Sequence, residues 1–204
     1  PGSKDGTGVY VNQATDNATI KNASNTKDWR NSNGRIDGGQ EYLTVFEGLT
    51  GKAINTIAFY PNRNTKAELS DASGSFNWDD RSGKTDKGSY GNRGERYLAA
   101  VAYLDGPDGN ASGIFCRGYY TYAYVWAVDF DGEKLIPRWL HRSDEKTKYS
   151  VVTYNAQGTG MSKTYTPSAA TSGGGSKTMY GNGNHNMSVG DVDGDGCDEI
   201  IWGS

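Results

Sequence analysis

Residues 97–141 read YLAAVAYLDGPDGNASGIFCRGYYTYAYVWAVDFDGEKLIPRWLH, and this stretch decides the fold. Four short runs rich in aromatic and β-branched residues follow one another: 97–104, 113–118, 124–130 and 135–141. Asp105-Gly106 punctuates the first connection and Asp131-Gly132 the last. Aspartate-glycine between alternating apolar runs is a strong hairpin signal, because glycine takes the positive φ that such turns need. The spacing predicts an up-and-down meander of four antiparallel strands, the unit of a β-propeller blade.

Strand-like runs flank this unit on both sides. Upstream, EYLTVF (41–46) and KAINTIAFY (52–60) enclose a Glu-Gly-Leu-Thr-Gly turn, which predicts a hairpin. Downstream, a strand is expected over 186–192 and another over 199–202, joined by an acidic turn. Residues 1–39, 61–95 and 142–184 are polar, with Gly and Asn punctuation, and read as loops. Weak repetition supports the scheme. Val101-Ala102-Tyr103-Leu104-Asp105-Gly106 lies over Val189-Gly190-Asp191-Val192-Asp193-Gly194, 88 residues on. Residues 40–60 then supply the last two strands of one blade, 97–141 a complete blade, and 186–204 the first two strands of the next. Half, one and half make about two blades, whereas a ring closes with roughly four to eight. The chain is therefore expected to be an arc of a larger propeller, completed by further segments of the same protein.

Composition agrees with an all-β chain. Of 204 residues, 29 are glycine and 12% are aromatic, a mixture that disfavours a helical bundle. The formal net charge of −3 argues against a nucleic-acid binder driven by bulk charge. No apolar run reaches the length of a membrane span, and no leader pattern opens the sequence. Cys116 and Cys197 show no metal-type spacing and read as two free thiols, Cys116 being a small buried hydrophobe. Trp126 and Trp139 read as packing residues, and His141 as solvated or at the rim.

The most specific motif is Asp191-Val192-Asp193-Gly194-Asp195-Gly196-Cys197-Asp198-Glu199. Carboxylates at the first, third, fifth and ninth positions, with glycine for the sharp turn, suit a hard cation that takes six or more oxygens. The expected ligands of a calcium ion are Asp191, Asp193, Asp195, Glu199 and the carbonyl of Cys197. An EF-hand needs flanking helices and a glutamate at its twelfth position, where this chain has Trp202. The motif is therefore read as a calcium turn on a β-hairpin, with a structural role.

Strand alternation separates this turn from a second end. Loops joining first to second strands lie on one face of a blade, and segments preceding first strands lie on the other. His185 precedes a first strand and so belongs opposite the calcium turn. Arg117, Tyr119 and Tyr120 are expected beside it, with Asn92, Arg93, Arg96, Asn31, Asn33 and Arg35. This face is aromatic, Asn-rich and cationic, suited to an anionic sugar. On the residues alone His185, in a Gly- and Asn-rich loop, reads as a surface histidine. Arg117, Tyr119, Asn184 and Asn186 are the candidate substrate contacts.

Three stretches resemble the rhamnogalacturonan lyases of polysaccharide lyase family 11. They are residues 30–50 (RNSNGRIDGGQEYLTVFEGLT), residues 90–120 (with YGNRGERYLAAVAYLDG and FCRGYY) and residues 183–204 (GNHNMSVGDVDGDGCDEIIWGS). The resemblance implies an eight-bladed propeller, bound calcium, secretion or a periplasmic location, and cleavage of pectic rhamnogalacturonan I by β-elimination. Gly183-Asn184-His185-Asn186 matches a segment that carries a cleft histidine in the family, and this resemblance implies His185 as the candidate catalytic residue. A second cleft histidine of the family has no counterpart before Ser204. Two other readings share the fold: a calcium-stabilised propeller that binds glycans without cleaving them, and one used in adhesion or assembly.

Overall fold

The computed structural model describes residues 2–30, 32, 34, 39–60, 96–118, 124–142, 149–154, 160–165 and 185–203. They form an all-β arrangement of ten strands, with one single-turn helix and one 3-10 turn. Among these residues no helix is long and apolar enough to cross a membrane. The chain divides into two compact units: Pro1–Lys66 with Asp131–Leu135, and Ala67–Phe130 with Ile136–Ser204.

The first unit is built on a hairpin of β1 (Tyr42–Phe46) and β2 (Ala53–Ala58). Its polar N-terminal segment is more ordered than its composition suggests, because side chains answer backbone groups. Asp5 Oδ1 accepts from Thr7 N, Thr7 Oγ1 and Val9 N, and Oδ2 accepts from Ala53 N at 3.0 Å. These donors, the Ala53 amide foremost, hold the Asp5 carboxyl at about 2. Asn12 is 1% exposed and donates through Nδ2 to the carbonyls of Ile20, Lys21 and Ala23. Asn17 caps α1 (Ala18–Lys21) by accepting from Thr19 N and Ile20 N. Gly6 fits closely against the hairpin turn. It donates to Gly51 O, and a Cβ there would stand 2.2 Å from Thr50 O.

The second unit contains a six-stranded sheet in the order β3-β4-β5-β6-β7-β8. The strands are β3 (Tyr97–Ala102), β4 (Ser112–Arg117), β5 (Tyr124–Phe130), β6 (Leu135–Arg142), β7 (Tyr149–Tyr154) and β8 (Gly160–Tyr165). The first four match the expected meander to within two residues at each boundary. The last two lie in 142–184, where the polar sequence predicts loop. Both pair antiparallel, β7 with β6 and β8 with β7, so the meander continues past the fourth strand.

A separate hairpin pairs β9 (Asn186–Gly190) with β10 (Glu199–Gly203). It packs on the sheet through period-two alternation on both sides. Leu98, Ala100 and Ala102 of β3, Ile114 and Cys116 of β4, and Val125 and Ala127 of β5 meet Met187, Val189, Ile200 and Trp202. Cys116 Sγ lies 3.4 Å from Met187 Sδ, and burial pushes the Cys116 thiol up to about 12. β5 is buried on both faces, since Tyr124, Trp126 and Val128 are also hidden. That double burial explains its unbroken apolar run. Cys116 and Cys197 are both free thiols.

Candidate functional site

β3 and β9 lie side by side, and each end of this contact carries a distinct group of candidate residues. At one end, β9 stops at Gly190 and β10 resumes at Glu199, its ladder partner. The turn between them is folded by its own aspartates. Asp191 accepts from Gly194 N at 2.7 Å and Gly196 N at 2.9 Å. Asp193 Oδ1 accepts from Asp195 N at 3.2 Å, and Asp195 Oδ1 accepts from Cys197 N at 2.8 Å. Gly194 (φ 81°) and Gly196 (φ 91°) supply the left-handed conformations that let the chain double back.

The result is a convergence of charge. One carboxylate oxygen from each of Asp191, Asp193 and Asp195 lies within 4.8 Å of the others, and all three residues are exposed. Among the described residues, none of the three pairs with Lys or Arg. Such an oxygen-only, anionic donor set fits a hard divalent cation. Glu199 reaches back over the turn, where its Oε2 accepts from Val192 N at 2.9 Å. Cys197 follows the triad, and partial burial, with Asp195 nearby, raises its thiol.

This turn is clasped to the neighbouring sheet by Asp198, a residue the sequence reading passed over. Asp198 Oδ2 accepts from Tyr103 N at 2.7 Å, and Asp198 N donates to Tyr103 O at 3.0 Å. Close by, Gly106 (φ 83°) approaches so tightly that a Cβ there would lie 3.2 Å from Gly196 O. The 88-residue repeat was the available signal, because it set these two turns in register. The turn after β3 is neutralised internally. Arg138 of β6 grips both oxygens of Asp105 and lies 3.7 Å from Asp129, which accepts from Ser112 Oγ.

At the opposite end, Asn186 forms the last rung of the β9 ladder with Gly203, and exposed His185 stands one residue beyond. Arg96, one residue before β3, donates from Nη2 to His185 O at 2.8 Å. His185 and the acidic turn thus lie at opposite ends of the hairpin. Arg117 ends β4 across from Tyr97, at the His185 end, is 1% exposed, and stands 5.2 Å over the Tyr97 ring. His141 is half-buried instead of solvated, meets Trp202 edge-on at 5.7 Å, and is lowered by burial to about 4. Trp126 is 2% exposed and Trp139 packs on the core. Tyr119, Tyr120, Asn184, Asn92, Arg93, Asn31, Asn33 and Arg35 lie outside the described residues.

Comparison with known proteins is decisive for the family. Residues 4–159 and 146–204 match the family model described as rhamnogalacturonan lyase family 11, C-terminal domain. The chain belongs to rhamnogalacturonan lyase family 11. Within this family it is 38% identical over 203 residues to the rhamnogalacturonan endolyase YesW of Bacillus subtilis (strain 168), covering 100% of this chain and 23% of that protein. It is 38% identical over 177 residues to the rhamnogalacturonan exolyase YesX of the same organism, covering 87% of this chain and 21% of that protein. Among solved structures, exotype YesX superimposes with TM-score 0.60 at 34% identity, over 98% of this chain and 24% of that one. The Bacillus licheniformis family member gives TM-score 0.60 at 36% identity, over 99% and 25%. The chain therefore spans about a quarter of the length of these relatives.

Proposed function

We propose that these residues form part of a rhamnogalacturonan lyase that cleaves the rhamnose–galacturonate backbone of pectin by β-elimination. The observation that carries the reading is the family match along nearly the whole chain, reinforced by two candidate sites held at opposite ends of one hairpin. In this reading the strands belong to an eight-bladed propeller completed by further segments of the same protein. Residues 40–60 end one blade, 97–141 form the next, and 186–204 begin a third, with β7 and β8 extending the middle blade at its β6 edge. The setting is secreted or periplasmic.

The acidic turn is assigned a structural calcium ion, held by the carboxylates of Asp191, Asp193, Asp195 and Glu199 and by the Cys197 carbonyl. The donor chemistry supports this, since three converging carboxylates gain from a bound cation what they lose by mutual repulsion. The saccharide chemistry belongs to the His185 end. β-Elimination removes the proton at C5 of galacturonate, forms the C4–C5 double bond and breaks the bond from C4 to its oxygen, which leaves on the rhamnose with the bonding pair and takes up a proton. A base takes the proton, and the uronate carboxylate must be neutralised as charge develops. Calcium bound in a cleft, or an arginine, would supply that neutralisation. His185 is assigned to holding the cleft cation or the uronate, flanked by Asn184 and Asn186, with Tyr119 as a further contact.

The test is the ultraviolet absorbance of the unsaturated uronate, followed on rhamnogalacturonan I with the native polypeptide that carries these residues. Product is expected from the wild type, and a loss of roughly a hundredfold or more from His185→Ala. Full activity in His185→Ala would refute the assignment. Binding of the polysaccharide without any unsaturated product would favour the non-catalytic reading.

A further inference from the structure

Both sheets of the second unit run out of ladder at the His185 end. β3 begins with the pair Tyr97–Arg117, and β9 begins with the pair Asn186–Gly203. Arg96 and His185 each stand one residue outside. The peptide of Arg96 is nevertheless held, because its carbonyl accepts from Gly118 N at 2.8 Å. Gly118 is buried with φ 86°, a conformation costly for any residue with a Cβ, so the chain leaves β4 along a defined path. From this anchored base the Arg96 side chain crosses to the other sheet, where Nη2 meets His185 O.

The acceptor matters. Arg96 bonds the main-chain oxygen of His185. The bond holds the peptide plane between His185 and Asn186, and with it the direction in which the His185 segment enters β9. A guanidinium suits this task, since its planar donors are preorganised. We propose that Arg96 is a positioning residue: it ties the His185 segment to the Gly118 turn and so sets the orientation of His185 toward substrate. The inference rests on the assignment of His185 to the saccharide site.

The experiment compares wild type, Arg96→Ala, Arg96→Lys, His185→Ala and the double variant Arg96→Ala/His185→Ala in the native polypeptide. Two readouts are needed: steady-state kinetics on rhamnogalacturonan I by uronate absorbance, and amide hydrogen exchange across residues 185–190 without substrate. Arg96→Ala is expected to lower kcat roughly ten- to hundredfold, as misplacement of a reacting group does, with KM changed less than about threefold. Exchange at the start of β9 should accelerate, reporting a looser peptide. Arg96→Lys, with one donor able to reach the carbonyl, should recover part of both. The double variant should be scarcely worse than His185→Ala, because both act through one residue. A raised KM with unchanged kcat and exchange would make Arg96 a direct sugar contact and overturn the proposal, as would wild-type behaviour of Arg96→Ala. A wild type that forms no unsaturated product would defeat the lyase reading instead. In that event accelerated exchange in Arg96→Ala still supports the tie, and unchanged exchange rejects it.

Discussion

In the turn after β3, Asp105 lies in the fork of Arg138; in the turn after β9, Asp191, Asp193 and Asp195 face one another with no Lys or Arg paired to them among the described residues. The two turns align at an offset of 88 residues and stand at the same end of two packed strands. They carry similar chemistry, aspartate and glycine, yet meet the problem of crowded charge differently. One has a cation built into the fold, fixed by β6. The other gathers three carboxylates whose repulsion a mobile cation can relieve. A protein that repeats a hairpin thus has two ways to close its turn, one that needs no ion and one that, with the proposed calcium bound, would be linked to it by mass action.

The largest expected effect comes from removing the ion. Chelation of divalent cations should lower the Tm of the native protein. At a hundredfold excess of calcium over Kd the bound state gains about 2.7 kcal/mol, worth roughly 5–10 °C in a domain of this size. Asp193→Asn sharpens the comparison, because its sign should depend on conditions. In calcium it lowers Tm, and in chelator it raises Tm by relieving like-charge repulsion. A loss of equal size in both buffers would mean that the turn never needed an ion.

Next in size is Gly106→Ala. It places a Cβ 3.2 Å from Gly196 O at φ 83°, so backbone strain and crowding of the clasp add. A loss of roughly 2–3 kcal/mol is expected in chemical denaturation. Gly194→Ala, with φ 81° and open space around it, should cost only about 1 kcal/mol. Equal losses would show that the two turns do not bear on each other.

Arg138→Met breaks the internally neutralised turn. A fall of roughly 2–4 °C in Tm is expected, the same in calcium and in chelator, and smaller in high salt because Asp105 is well exposed. A fall seen only with calcium would erase the distinction between the turns.

The smallest effect is in acid. The bonds from Arg138, then its charge, depress the Asp105 carboxyl below its ordinary 3.8. A folded value below the unfolded one gives stability that is complete above about pH 4 and lost as pH falls through the depressed value. Acid denaturation of Arg138→Met should therefore show a shallower slope in that range than wild type. An unchanged slope would assign the acid sensitivity to other carboxylates.

Much of the second unit was legible because its strands carry their burial in the sequence. Leu98, Ala100 and Ala102 alternate with exposed Tyr97, Ala99 and Val101, and β5 is apolar because both faces are covered. β7 and β8 were missed for the opposite reason. YSVVTY and GMSKTY sit among polar residues, and an added strand needs only a ladder on an existing edge. The N-terminal segment was illegible to periodicity as well, since its order comes from Asp5, Asn12 and Asn17 answering backbone groups. At the candidate sites, ligand spacing made the acidic turn readable, and strand direction put His185 at the other end. The burial of Arg117 was not legible, because a charged residue beside tyrosines suggests a surface and only the register sets it across from Tyr97. The ties made by Arg96 and Asp198 link residues roughly 90 apart, and no local pattern announces them.

The most direct test of the central claim is a calorimetric calcium titration of the chelator-treated native protein beside its Asp193→Asn variant. The variant is expected to bind one ion fewer, with the remaining sites and the folded baseline unchanged. Identical stoichiometry and affinity in the two proteins would contradict it.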